Sequence, residues 1–275
     1  MRKAGRVWVL TLALCAVVFG AAYAEGGVDA EKSGTPFGLT AVVRGASPDG
    51  PLREARALLD GLLSAEGTLP DERVSDFLKA LGETGDSLFE AYLDDYDFAE
   101  QFGDGDLISP RFGEGGVEYG VNFRAVRAAL GGRLSEAFDR YLALSEIYFD
   151  AYLVDDMALM ISWDELAQFL IDWSVFRIGY PRFIESESVD SALRFGLYLY
   201  AGCFNLDNTP VVGYDGMLSP DVRASYERFL NNPAGGDVLY REEIEKLYGV
   251  WKTNGFLFTE EVRGFLEALE ATLFG

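Results

Sequence analysis

Ser162-Trp163-Asp164-Glu165-Leu166-Ala167-Gln168-Phe169-Leu170-Ile171-Asp172-Trp173-Ser174-Val175-Phe176-Arg177-Ile178-Gly179 is the stretch whose reading decides the fold. Ser162 and Glu165 stand three residues apart, the spacing of a capping box, in which each side chain satisfies a backbone N–H of the other. Ile161 before the cap and Leu166 after it fit a hydrophobic staple. The apolar residues that follow cover most sides of a helix rather than one stripe. Such a helix belongs near the centre of a fold, because a surface helix keeps a polar face. Pro181 marks its end. Asp172 and Arg177 interrupt the run, so it is not a membrane span.

Outward from this helix the chain reads as helical in both directions. Val189 to Phe204 is apolar in the same way, with Arg194 near its start. Further on, Asp215-Gly216-Met217-Leu218-Ser219-Pro220-Asp221 and Asn254-Gly255-Phe256-Leu257-Phe258-Thr259-Glu260 look alike. Each holds a glycine able to take positive φ, a bulky pair, an N-cap residue and an acidic first turn. Helices are expected at 221–230, 241–251 and 260–273. Upstream, Pro51 opens a pattern of Leu52, Ala55, Leu58, Leu59, Leu62 and Leu63, and Gly67 closes it. A second helix starts at Asp71. A third is expected over Ser87–Leu93, from a Ser87/Glu90 capping box. Residues 102–120 hold six glycines and Pro110, which predicts a loop or small hairpin. From Asn122 a 3.6-residue period runs for about 30 residues to Tyr152, with Gly131-Gly132 as a kink. The class is all-α: a compact bundle of roughly eight to ten helices in one domain, 51–275, with a Gly-rich loop or hairpin near 103–120.

The N-terminus carries an address. Arg2, Lys3 and Arg6 precede an apolar run from Val7 to Gly20, and Ala22-Tyr23-Ala24 offers a small-x-small cleavage site. That order is a signal peptide, residues 1–24, cut after Ala24. The rival is a retained anchor, since a run of this length lies at the lower edge of a membrane span. Cys15 lies inside the apolar run and follows a bulky Leu14, which disfavours lipid attachment there. Residues 25–50 read as a flexible leader rich in Gly, Ser, Pro and charge, with an apolar patch at Leu39–Val43. The expected location is periplasmic or secreted, with no integral span after cleavage.

Composition excludes several function classes. The chain has 23 basic and 45 acidic residues, a formal net charge of −22. Loss of residues 1–24 removes three of those bases. Such a field repels nucleic acid and anionic membranes. There is no histidine, which removes Ser-His-Asp and Cys-His catalysis and imidazole metal sites. After cleavage Cys203 is the only cysteine, so no internal disulfide forms and the core alone must hold the fold. Cys203 sits among apolar residues and reads as a small buried hydrophobe.

What chemistry remains is carboxylate chemistry. Placing Gly255 at position six of a calcium loop puts Asn254 at five, Leu257 at eight and Glu261 at twelve. Val250 and Lys252 then occupy positions one and three, where carboxylates are needed. In the first turn Val222 falls at position twelve. Asp94, Asp95, Asp97, Glu100, Asp104 and Asp106 form a dense acidic run, read as a solvated loop with cation binding as the alternative. Glu185-Ser186 resembles the Glu-Ser of lytic transglycosylases, but no Gly-Leu-Met-Gln follows, and Tyr198–Ala201 is a poor match to that family's Ala-Tyr-Asn. The resemblance covers two residues; the function it implies is a carboxylate-based glycan (peptidoglycan) hydrolase acting through Glu185.

No catalytic, cofactor-binding or metal-binding residue is assigned, and no cofactor is expected. The sequence supports an exported, strongly acidic helical protein with a binding or structural role in the cell envelope, toward a protein partner or a small apolar ligand. A glycan hydrolase and a calcium-binding protein are the alternatives.

Overall fold

In a computed structural model, the described residues are 51–274 apart from 114–115, 150–152, 156, 205 and 233–237. The expected signal peptide and leader lie outside them. Ten helices and two small antiparallel hairpins make up the regular structure of these residues, so the chain is all-α. Contacts gather into two compact units, one ending at Leu153 and the other Val154–Gly275.

The first unit begins with α1 (Pro51–Ser64), whose Ala55, Leu59 and Leu62 are buried. Helix α2 (Asp71–Tyr92) is a single helix of 22 residues. The separate helix expected from Ser87 does not exist. The Ser87 hydroxyl donates to the carbonyl of Glu83, one turn back, at 2.9 Å, so it is a mid-helix serine rather than a cap. Two glycines inside α2 serve different ends. Gly82 faces open space. Gly85 lies against strand β2, where an added Cβ would sit 2.1 Å from the carbonyl oxygen of Tyr119.

That strand belongs to the hairpin β1 (Ile108–Gly113) and β2 (Gly116–Val121), which pairs from Ile108↔Val121 to Gly113↔Gly116. It realises the hairpin expected near 103–120. Between α2 and β1 lies the one-turn helix α3 (Tyr96–Ala99). The buried Arg111 extends from β1, and its guanidinium donates to the carbonyls of Val121 at 3.2 Å and Phe149 at 3.4 Å.

The long periodic stretch after Asn122 is two helices, α4 (Phe123–Leu130) and α5 (Glu136–Phe149). Gly131-Gly132 breaks the helix instead of bending it, because Gly132 takes a φ of +74°. The break has a use. It turns Arg133 toward the end of α1, where its guanidinium donates to the carbonyls of Leu62, Leu63 and Ala65. The last carbonyls of a helix have no partner within it, and this arginine supplies one from a distant part of the chain.

The second unit starts with the short hairpin β3 (Val154–Asp155) and β4 (Ala158–Leu159). Helix α6 (Trp163–Gly179) is the apolar helix of the quoted stretch, and its capping box is formed: the Glu165 N–H donates to the Ser162 hydroxyl at 3.2 Å, and the Ser162 N–H to the Glu165 carboxylate at 2.7 Å. The Ser162 N–H and, second to it, the Ser162 hydroxyl, each donating to the Glu165 carboxylate at 2.7 Å, hold that carboxyl below its ordinary range. Phe169, Trp173 and Phe176 are fully buried. Helix α7 (Ser186–Ala201) packs closely on α6 through Gly196, where an added Cβ would lie 2.5 Å from the Phe169 ring. Helices α8 (Pro220–Asn231), α9 (Arg241–Thr253) and α10 (Glu260–Phe274) follow where expected. About half of the described aromatic residues are buried: Tyr226 donates to the carbonyl of Tyr200 at 2.6 Å, and the Tyr200 hydroxyl lies 3.0 Å from that of Ser225.

The two glycines of α2 make opposite predictions. Gly82→Ala, with free space and helical backbone, raises stability by about 0.5–1 kcal/mol. Gly85→Ala forces the hairpin away from the helix and lowers stability by about 1–3 kcal/mol. Urea unfolding of the two variants checks the sign of each.

The cap of α6 predicts a pH signature. Ser162→Ala costs about 1 kcal/mol at neutral pH. A carboxyl held below its ordinary pKa adds stability above the unfolded value, and that stability is lost as pH falls through the folded value. The gap between Ser162→Ala and the unmutated protein therefore narrows below the usual glutamate range. A Ser162→Ala variant as stable as the unmutated protein at neutral pH contradicts the cap.

Candidate functional site

The similar turns 215–221 and 254–260 are brought together by the fold. The chain leaves α7 through a left-handed Gly202, closed by bonds from Gly202 N–H to Leu199 and from Cys203 N–H to Tyr198. An added Cβ on Gly202 would lie 2.8 Å from Val211, so only glycine allows this approach. The chain then forms a tight hairpin: Gly213 N–H donates to the Met217 carbonyl and Ser219 N–H to the Val211 carbonyl, both at 2.8 Å. The other turn adds a third strand. Leu218 N–H donates to Phe256, and Phe258 N–H to Gly216, also at 2.8 Å. Met217 and Leu257 are bridge partners. Gly216 (φ +75°) and Gly255 (φ +64°) provide the left-handed positions expected of them.

This ladder sorts the bulky pairs. Leu218 is buried, while Met217 is 40% and Leu257 48% exposed; Tyr214 at the hairpin tip is fully exposed. Two clefts border the ladder. One, of about 730 Å³, is lined by Trp163, Pro210, Met217, Leu218, Pro220 and Phe256, with Asp215, Asp221 and Arg223 also at its wall. The Arg223 guanidinium lies 3.8 Å from the centre of the Phe256 ring and donates to Glu227 at 3.0 Å. Glu227 also accepts from Tyr248 at 2.7 Å, and these hydrogen bonds hold its carboxyl below the usual range.

The second cleft, of about 450 Å³, lies between the end of α7, the segment 206–212 and α10. Cys203 is on its wall, and the thiol hydrogen lies toward the carbonyl of Leu266 at 3.7 Å. Burial, with the Glu270 carboxylate as a lesser cause, pushes this thiol up to about 12. Cys203, expected as a small buried hydrophobe, is only partly buried, and its raised pKa leaves little thiolate.

The other carboxylate candidates have local structural work. In the calcium-like loop, the Asn254 amide donates directly to Glu261 at 3.0 Å, and the Thr259 hydroxyl to the Asn254 carbonyl oxygen at 2.9 Å. Positions five and twelve thus satisfy each other without an ion. Thr259 caps α10, whereas Ser219, the matching cap before α8, makes no side-chain cap bond; its N–H is used in the ladder. In the acidic run, Asp95 caps α3 by accepting from Phe98, and the buried Asp106 accepts from Gly103 at 2.8 Å. Burial raises the Asp106 pKa. Among the described residues no three acidic or cysteine side chains converge as a metal site. Glu185 stands at the N-cap position of α7 and accepts from the Ser188 hydroxyl at 3.1 Å. It lines neither cleft.

Sequence reading found the turns and their glycines but not the site they build. Met217 was read only as half of a bulky pair, and Tyr214, Arg223, Glu267 and Glu270 went unmarked. The signal available was the bulky pair in each turn: two large apolar residues in succession, on an extended segment, must point to opposite faces.

The Cys203 environment makes a direct prediction. At pH 8 a chain comprising residues 25–275 reacts at Cys203 with a small thiol reagent at least about 100-fold slower than a free cysteine, because the thiolate is the nucleophile and is scarce. Stopped-flow labelling before and after unfolding measures this; equal rates would contradict the placement.

No protein-family model matches the chain, and neither a curated protein nor a solved structure is significantly similar to it.

Proposed function

We propose that the protein is an exported binding protein of the cell envelope that engages a protein partner through the three-stranded ladder at 211–219 and 256–258. The observation that carries this reading is the exposure of Tyr214, Met217 and Leu257 on one hydrogen-bonded platform. Apolar side chains held at the surface by a rigid backbone lose little freedom on association, so they favour binding. Exposed apolar groups gathered with a rim of charge mark interaction sites. The rim here is acidic: Asp215 and Asp221 border the cleft, and Arg223 is already engaged by Glu227. With a formal net charge of −22, the protein attracts a partner that presents apolar side chains flanked by Lys or Arg. Among the described residues no helix is long and apolar enough to cross a membrane. The signal-like leader supports export.

A photo-activatable residue at Leu257 in intact cells, followed by mass spectrometry, tests the reading. A discrete partner adduct is expected at Leu257 and none at the exposed Glu83 of α2. Met217→Asp in the labelled protein lowers the adduct yield by about tenfold or more, as for loss of a buried anchor. Equal labelling at both positions, or none at Leu257, overturns the reading.

A further inference from the structure

The 450 Å³ cleft beside Cys203 lies within the size range of small-molecule sites, about 300–1,000 Å³. Its walls are largely apolar: Phe204, Leu206, Pro210, Val211, Val212 and Phe258. Its remaining wall is one stripe of α10. Arg263, Leu266, Glu267 and Glu270 fall at i, i+3, i+4 and i+7, so they share a face.

The charges on that stripe are unequal in availability. The Arg263 guanidinium lies 5.5 Å from the centre of the Phe258 ring, and its Nη1 is 3.6 Å from Glu260. It is held on both sides. Glu267 has no ion-pair partner among the described residues. Glu270 accepts one hydrogen bond, from the Tyr198 hydroxyl at 3.2 Å. A carboxylate has about four acceptor positions, so Glu270 retains capacity. The field of Glu270 reaches the cleft interior, where it contributes to the raised pKa of Cys203. An apolar cavity bordered by two carboxylates and one engaged guanidinium rejects an anionic head group. It leaves a neutral one without compensation for the charge, and it complements a cation.

We propose that this cleft binds a small cationic amphiphile, with the alkyl or aryl body against Leu206, Val211 and Leu266 and the ammonium group between Glu267 and Glu270. The site does not rest on the partner-docking reading, because Met217 and Leu257 do not line it.

Calorimetric titration of the mature protein with octyltrimethylammonium, octyl maltoside and octyl sulfate, each below its micelle-forming concentration and at physiological salt, tests the site. The expected result is saturable binding of one cation per chain, about tenfold or more weaker binding of the neutral compound, and no binding of the anion. Glu267→Gln with Glu270→Gln weakens cation binding by about tenfold or more while helical circular dichroism is kept. Glu83→Gln with Glu90→Gln, two exposed carboxylates of α2, leaves it unchanged. Non-saturable cation binding, equal binding of all three compounds, or equal loss in both double variants overturns the proposal. The three-compound series on the unmutated protein decides the matter if a variant does not fold. Met217→Asp leaves cation binding intact, so failure of partner docking and failure of this site are read separately.

Discussion

The contact between Gly196 and the Phe169 ring is the constraint on which the C-terminal unit depends. A methyl group at residue 196 would overlap the ring, so α6 and α7 approach only because this position lacks a side chain. The approach buries Phe169, Trp173 and Phe176, and among the described residues the one cysteine, Cys203, is free, so no disulfide there assists the core. It also positions both ends of the site. Trp163, the first residue of α6, lines the larger cleft. Gly202, just past the end of α7, sends the chain into the ladder through its own close approach to Val211. The N-terminal unit uses the same device, with Gly85 of α2 against the backbone of Tyr119. In both units a glycine within a helix costs about 0.5–1 kcal/mol in intrinsic propensity, and the packing it permits offsets that cost.

Local signals were legible where the local structure is self-sufficient. The Ser162/Glu165 capping box formed as read, because both partners lie within one turn and need no tertiary support. The three C-terminal helices and the hairpin near residue 110 were legible for the same reason. Local signals misled where another contact, near or distant, decided the outcome. Ser87 and Glu90 have capping-box spacing, yet α2 runs through them because its apolar face continues to Leu88 and its hydroxyl finds the Glu83 carbonyl. The period from Asn122 continues past Gly131-Gly132, but Arg133 is needed at the end of α1, about 70 residues away in sequence. The ladder was hidden for a further reason. It rests on isolated bridges, Val212↔Leu218 and Met217↔Leu257, and so carries no alternation to detect.

The acidic composition takes on a more definite meaning in the structure. Several carboxylates that looked like candidates for cations or catalysis accept backbone or side-chain hydrogen bonds next to them: Asp95 and Asp106 in the acidic run, Glu261 in the calcium-like loop, Glu185 at the start of α7. Those on the walls of the two clefts are the ones with a field directed at a possible ligand. Asp215 and Asp221 border an exposed apolar platform. Glu267 and Glu270 border an apolar cleft. Both proposals take up that field with a positively charged ligand of apolar character, one macromolecular and one small.

The central claim is that the ladder is a rigid platform rather than two independent turns. Amide hydrogen exchange of the Leu218 and Phe258 N–H groups tests it most directly, since these two donors join the turns. The account predicts protection comparable to interior amides of α9, opening only with the surrounding helices. Exchange at the rate of an unprotected loop would contradict it, because Met217 and Leu257 would then have no fixed relation to each other.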